Sequence, residues 1–222
     1  NPTDAAAEDW TYSATWTWSS STPPPPPPPP PPPSGGAESV TVVSTDGVAG
    51  MTTVRLSYTL DATQANVYAM AGTSSTTMSF PPAYQVAAPF GADIGGVSPA
   101  FFAVANNDAL GYAEFDSWLT IGVTDGTAPG AISASPGFDI AALWTATTAL
   151  SETNSAVFYM DPGTMGANSG VAPIVMAQMT LSADDAASGT ATAQLQGNPT
   201  DAAAEDWTYS ATWTWSSSTP PP

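Results

Sequence analysis

An all-β fold, a β-sandwich of jelly-roll type with an extended polyproline II linker, is predicted by three features of this 222-residue sequence. Apolar and polar residues alternate over many short stretches, the two-residue period of a half-buried strand. Turn residues interrupt those stretches at intervals of about 8–15 positions, the spacing of a multi-stranded sandwich. No segment carries a convincing apolar stripe of helical period.

The elements follow in order. Residues 1–25, NPTDAAAEDWTYSATWTWSSSTPPP, recur without a change as residues 198–222, an offset of 197. Two independent surface segments would not keep three tryptophans identical, so the repetition predicts a tandem array with a 197-residue period. On that reading residues 1–22 are the terminal strand of a preceding repeat and 23–36 a linker. Residues 37–217 are the sandwich domain, and 218–222 begin the next linker. The linker holds eleven consecutive prolines. As polyproline II they span about 34 Å, nearly the width of a domain whose radius of gyration is about 16 Å.

The domain opens with SVTVV (39–43) as a strand and TDGVAG (45–50) as a turn. TVRLSYTL then places Val54, Leu56, Tyr58 and Leu60 on one face, with Arg55, Ser57 and Thr59 on the other. NVYAMAG (66–72) reads as the partner of that strand. The Pro- and Gly-rich middle reads as loops with short strands, and YAEFDSWLTIGV (112–123) as one long strand. FDIAALW (138–144) fits a strand or a single helical turn. AVFYMD, IVMAQMTLS and TATAQLQG continue the series of strands. DWTYSATWTW closes it, with Trp207, Tyr209, Ala211, Trp213 and Trp215 on one face and Thr208, Ser210, Thr212 and Thr214 on the other. Four aromatic rings left bare would be an aggregation hazard. This ribbon is therefore expected to complete the domain, and its copy, with Trp10, Tyr12, Trp16 and Trp18, to fill the same place in a neighbour.

Composition narrows function. The chain has 19 acidic residues, one basic residue and no histidine or cysteine, a net charge of −18. Binding to nucleic acid requires clustered Lys and Arg and is excluded. Without His, Cys or Lys, nucleophilic triads and histidine–metal sites are excluded as well. No run of 18 apolar residues is present, so no membrane span is expected. Aromatic content of 10% and charged content of 9% exclude a disordered acidic tail.

The remaining enzymatic chemistry is a carboxylate pair, with Glu114 and Asp116 in YAEFDSW as candidates. Solvated acids on the outer face of a strand would look the same, and no enzyme is expected. A structural calcium ion is the one cofactor considered, with Asp46, Asp61, Asp93, Asp125, Asp161, Asp184 and Asp185 in turns. None lies in a spaced ligand motif, and Asp populates turns for backbone reasons alone. Arg55 is expected to pair with a carboxylate on the outer face of the sheet, or to clamp an anionic ligand. The seven methionines (51, 70, 78, 160, 165, 176 and 179) read as core filler.

Two segments resemble known families. SSSTPPPPPPPPPPPSGG (19–36) resembles the rods of hydroxyproline-rich glycoproteins in algal extracellular matrix, a theme shared by mastigoneme proteins. That resemblance implies hydroxylation and O-glycosylation of Pro23, Pro24, Pro25, Pro26, Pro27, Pro28, Pro29, Pro30, Pro31, Pro32 and Pro33, bordered by Ser19, Ser20, Ser21, Thr22 and Ser34. SPAFFAVANNDALGYAEFDSWLTIGVTDG (98–126), with VFYMDPG (157–163), is similar to a repeat domain of secreted proteins of marine unicellular algae. It implies an extracellular location and no catalytic residues.

The expected function is a structural repeat of an extracellular fibrous glycoprotein, whose partners are neighbouring copies and covalent glycans. The alternative is an adhesin or glycan-binding module using aromatics near Tyr84, Phe90 and Trp118.

Overall fold

The computed structural model describes residues 36–126, 130–163, 167–168 and 173–216. Strands dominate them, and the helices are single turns. β1 (Ala37–Thr45) and β2 (Met51–Thr59) form an antiparallel hairpin. The turn between them is built by Asp46 and Gly50, both left-handed at φ 64° and 71°. Asp46 Oδ1 accepts from Gly50 N at 3.2 Å, which lets a non-glycine residue hold that conformation.

β3 (Ala69–Gly72) and β4 (Met78–Phe80) follow. A turn of helix, α1 (Phe102–Ala105), and the two-residue strands β5 (Asn106–Asn107), β6 (Gly111–Tyr112) and β7 (Trp118–Leu119) make up the Pro- and Gly-rich middle. Then come β8 (Ile132–Ala134), the helical turn α2 (Ile140–Leu143), β9 (Leu150–Glu152) and β10 (Ser155–Tyr159). The long strands come last: β11 (Ile174–Ser182), β12 (Ser188–Gly197) and β13 (Trp207–Ser216). The turn α3 (Ala183–Ala187), which leads from β11 into β12, is capped by Ser182 Oγ accepting from Asp185 N.

The strands form two large antiparallel sheets. One has the order β1-β2-β11-β7. The other runs β8-β10-β3-β12-β4-β9, with β13 on the remaining edge of β12. β3 and β4 lie end to end along β12: Ala69–Ala71 face Gln194–Gln196, and Ser79 faces Thr192.

Both sheets contribute to one core. Val54, Leu56 and Tyr58 of β2 and Met179 and Leu181 of β11 meet Met70, Phe80, Leu195, Trp207 and Trp213 from the other sheet. A smaller cluster, Val97, Ala105, Ala113 and Trp118, covers part of the opposite face of the four-stranded sheet. That cover explains why Thr53 and Ser57, on the outward face of β2, are only 1% and 4% exposed.

Three expectations are corrected. Ala69–Gly72 does not pair with β2 but belongs to the other sheet, between β10 and β12. Residues 112–123 are not one strand. They break into β6, a 3-10 turn at Ala113–Phe115 and β7, because side chains capture the backbone groups that a ladder would use. Gln178 Nε2 donates to the carbonyls of Glu114 and Asp116 at 3.1 and 2.9 Å, and Ser117 Oγ accepts from Thr180 N at 2.9 Å. Met70, Met78, Met176 and Met179 are buried core residues, whereas Met160 is 61% exposed.

Candidate assembly interface

The closing strand is built from its period. Alternation buries Trp207, Ala211 and Trp213, leaves Tyr209 and Trp215 half-buried, and turns Thr208, Ser210, Thr212 and Thr214 to solvent. β13 pairs with β12 over ten consecutive positions, from Gly197↔Trp207 to Ser188↔Ser216. Its opposite edge faces β1, where Thr212 N donates to Glu38 Oε1 at 3.2 Å.

Burying an indole leaves its N–H in need of an acceptor, and each of the three tryptophans has one. Trp207 Nε1 donates to Asn198 O at 2.9 Å, Trp213 Nε1 to Ser57 O at 2.8 Å and Trp215 Nε1 to Asp185 O at 2.8 Å. The Trp213 bond crosses to β2 in the facing sheet. Tyr58 of that strand stacks on Trp207 at 6.1 Å and lies 5.5 Å from Tyr209. The Tyr209 hydroxyl is pushed up to about 12 by burial and by its hydrogen bond to Glu38.

The seat is shaped for these rings. Trp215 and Trp207 face Gly189 and Gly197 of β12 across the ladder. A Cβ on Gly189 would lie 2.3 Å from Trp215 Cζ2. On Gly197 it would lie 2.5 Å from Trp207 Cζ2 and 1.9 Å from the carbonyl oxygen of Asn66. The glycines therefore make room for the indoles.

The first copy of this strand, with Trp10, Tyr12, Trp16 and Trp18, and the modification tract Ser19–Ser34 both lie outside the described residues.

The carboxylate pair does not form. Glu114 is exposed on the 3-10 turn and accepts from Asn106 Nδ2 at 3.1 Å. Asp116 is fully buried, its two oxygens accepting from Val86 N and Ala92 N, each at 2.7 Å. It pins the covering loops to the sheet. Burial pushes its pKa up to about 7, against the backbone N–H groups that favour its charge.

The acids considered for calcium are dispersed into local roles. Asp46 holds its turn, Asp61 Oδ1 accepts from Thr63 N and Asp161 Oδ1 from Gly163 N. Asp184 and Asp185 lie in the first turn of α3 rather than in a loop, and Asp185 Oδ2 accepts from Ser182 Oγ. Among the described residues no three acidic groups converge on a metal-sized site.

Among the described residues Arg55 pairs with no carboxylate. Its Nε donates to Gln178 Oε1 at 3.0 Å, and its guanidinium lies 5.6 Å from the centre of the Trp118 ring. The aromatics proposed for glycan stacking are engaged as well. Trp118 is 1% exposed, Phe90 meets Phe101 edge-on at 5.7 Å, and the Tyr84 hydroxyl accepts from Tyr112 N. Sequence reasoning missed Gln178, Gly189 and Gly197. The two glycines carried a readable signal, since each ends a run of alternating residues that faces a tryptophan-rich strand.

Two outcomes are expected. Gly197→Ala destabilises the domain by about 1–3 kcal/mol, as overpacking does, because the Asn66 carbonyl belongs to the backbone and cannot yield. Urea unfolding followed by tryptophan emission measures this, and an unchanged midpoint contradicts the shaped seat. For Asp116 the folded pKa lies above the ordinary value of 3.8. The folded state thus keeps a proton that the unfolded chain has released. Stability is greatest at the acid end of the window, falls as pH rises from about 4 to 7, by at most ~1.4 kcal/mol per pH unit, and is level above it. Asp116→Asn flattens that slope between pH 5 and 7.5 in the same assay.

Comparison with family models, curated proteins and solved structures returned no match. The functional reading therefore rests on the geometry of this chain.

Proposed function

We propose that this chain is a structural repeat unit of an extracellular fibrous glycoprotein, a β-sandwich joined to its neighbours by a stiff, glycosylated proline rod. The observation that carries the proposal concerns β13. The decapeptide WTYSATWTWS, which supplies three hydrogen-bonded indoles and a ten-position ladder to this domain, occurs a second time as residues 10–19.

One domain offers one such seat. The second copy therefore needs the seat of another domain, supplied by covalent continuity in a tandem array or by strand addition between chains. The chain's own seat is already taken by β13, and eleven prolines in polyproline II form would span about 34 Å, a spacer between domains.

A net charge of −18 opposes close packing of copies through long-range repulsion. Cohesion then rests on backbone ladders and buried rings, which salt does not weaken.

Deleting residues 207–222 empties the seat on β12 and tests this reading. The truncated chain is expected to form particles whose size grows with concentration in light scattering, as the first copy of one molecule fills the seat of the next, while the 222-residue chain, whose seat is taken, stays a monomer. A truncated chain that is monomeric at every concentration refutes the assembly role.

A further inference from the structure

The only basic residue of the chain points to a ligand site that is independent of the assembly reading. Register places Thr41, Arg55, Gln178 and Trp118 in one row across β1, β2, β11 and β7. Arg55 is fixed in that row from two sides, by the Gln178 amide and by the Trp118 ring. Gln178 is itself 1% exposed and tied to the carbonyls of Glu114 and Asp116, so it cannot swing aside. The guanidinium is therefore aimed, and its terminal amino groups keep their donors.

Among the described residues no carboxylate forms an ion pair with Arg55, and burial is the one influence on its pKa, which it lowers. A chain with 19 acids could have supplied a partner. Instead the guanidinium borders a cleft of about 180 Å³ between the sheet and its covering loops. A cavity of similar size, about 150 Å³, is enough to hold one benzene-sized ligand.

The lining specifies the ligand. Pro99 and Phe102 give an apolar wall, while Glu114, Thr124 and Asp125 give the cleft its polar side. Arginine offers only donors, arranged as a fork that fits one carboxylate. Glu114, which already accepts from Asn106 Nδ2, and Asp125 offer only acceptors when ionised and favour a ligand that carries donors. A multiply charged anion would be repelled by the field of the whole chain. We propose that this cleft binds a small monocarboxylate that also carries hydrogen-bond donors. Its carboxylate sits on Arg55, its donors face Glu114 and Thr124, and its apolar side lies against Phe102 and Pro99. Uronic acids and α-amino acids are the two common sources of that chemistry.

The test titrates the full 222-residue chain with glucuronate, leucine and glucose, read by calorimetry and by tryptophan emission, which senses Trp118. Saturable binding of glucuronate or of leucine is expected, the better probe identifying the source, with no binding of uncharged glucose. Arg55→Gln is expected to weaken binding at least about tenfold, and Arg55→Lys to weaken it less, because it keeps the charge without the fork. Should Arg55→Gln unfold, the exposed Glu114→Gln serves in its place, with weakened binding expected. Absence of binding by both carboxylates, or binding unchanged in Arg55→Gln or, where that variant unfolds, in Glu114→Gln, overturns the proposal.

Discussion

The domain depends on burying one face of one edge strand. β13 lies at the rim of its sheet, yet two of its rings are nearly solvent-free and three of its indole N–H groups reach carbonyls outside the strand. A tryptophan buries about 150–250 Å², worth ~4–6 kcal/mol at most by area. The Trp213 bond to Ser57 ties the two sheets together at the same point. Removing this strand would open the core along β12 and bare Tyr58. The edge it creates is blunted by Glu38, whose carboxylate occupies an outward N–H of Thr212 and discourages a further strand from adding there.

A second constraint acts on the other face of the four-stranded sheet. Loops normally lie on the surface because their backbone polar groups need partners. Here two buried side chains supply them. Asp116 accepts from the Val86 and Ala92 amides, and Gln178 donates to two carbonyls of the same loop region. The loops can then close over Trp118 as a small second core. Arg55 sits at the border of this cover, where desolvation is incomplete and a ligand has access.

The sequence made the strands legible wherever alternation was uninterrupted. β1, β2 and β10 to β13 announce themselves by period, and the aromatic stripe of β13 identifies its inward face. The pairing of Ala69–Gly72 was hidden, because its partners in β10 and β12 lie far along the chain and no local pattern selects them. Residues 112–123 misled for a chemical reason. Aromatic and β-branched residues favour a strand there, but a distant glutamine, Gln178, takes over the carbonyls of Glu114 and Asp116. Arg55 was read by charge alone, which suggested a carboxylate. Its actual partners, an amide and an indole, became visible only once register placed them in its row. The glycines opposite Trp207 and Trp215 show that the closing strand and its seat were shaped for each other.

The chain has no cysteine, so introduced ones report cleanly on which strand occupies the seat. Thr190 faces Thr214 across the β12–β13 ladder, and both are exposed. Thr17 is the counterpart of Thr214 in the first copy. In a chain ending at Asp206, which lacks its own closing strand and so leaves the edge of β12 open, oxidation of a variant carrying Thr17→Cys and Thr190→Cys should give a ladder of disulfide-linked multimers on a non-reducing gel, because residue 17 of one molecule reaches β12 of the next. A product that stays monomeric, whether unlinked or closed on itself, would contradict the claim that the duplicated strand belongs in another copy's fold.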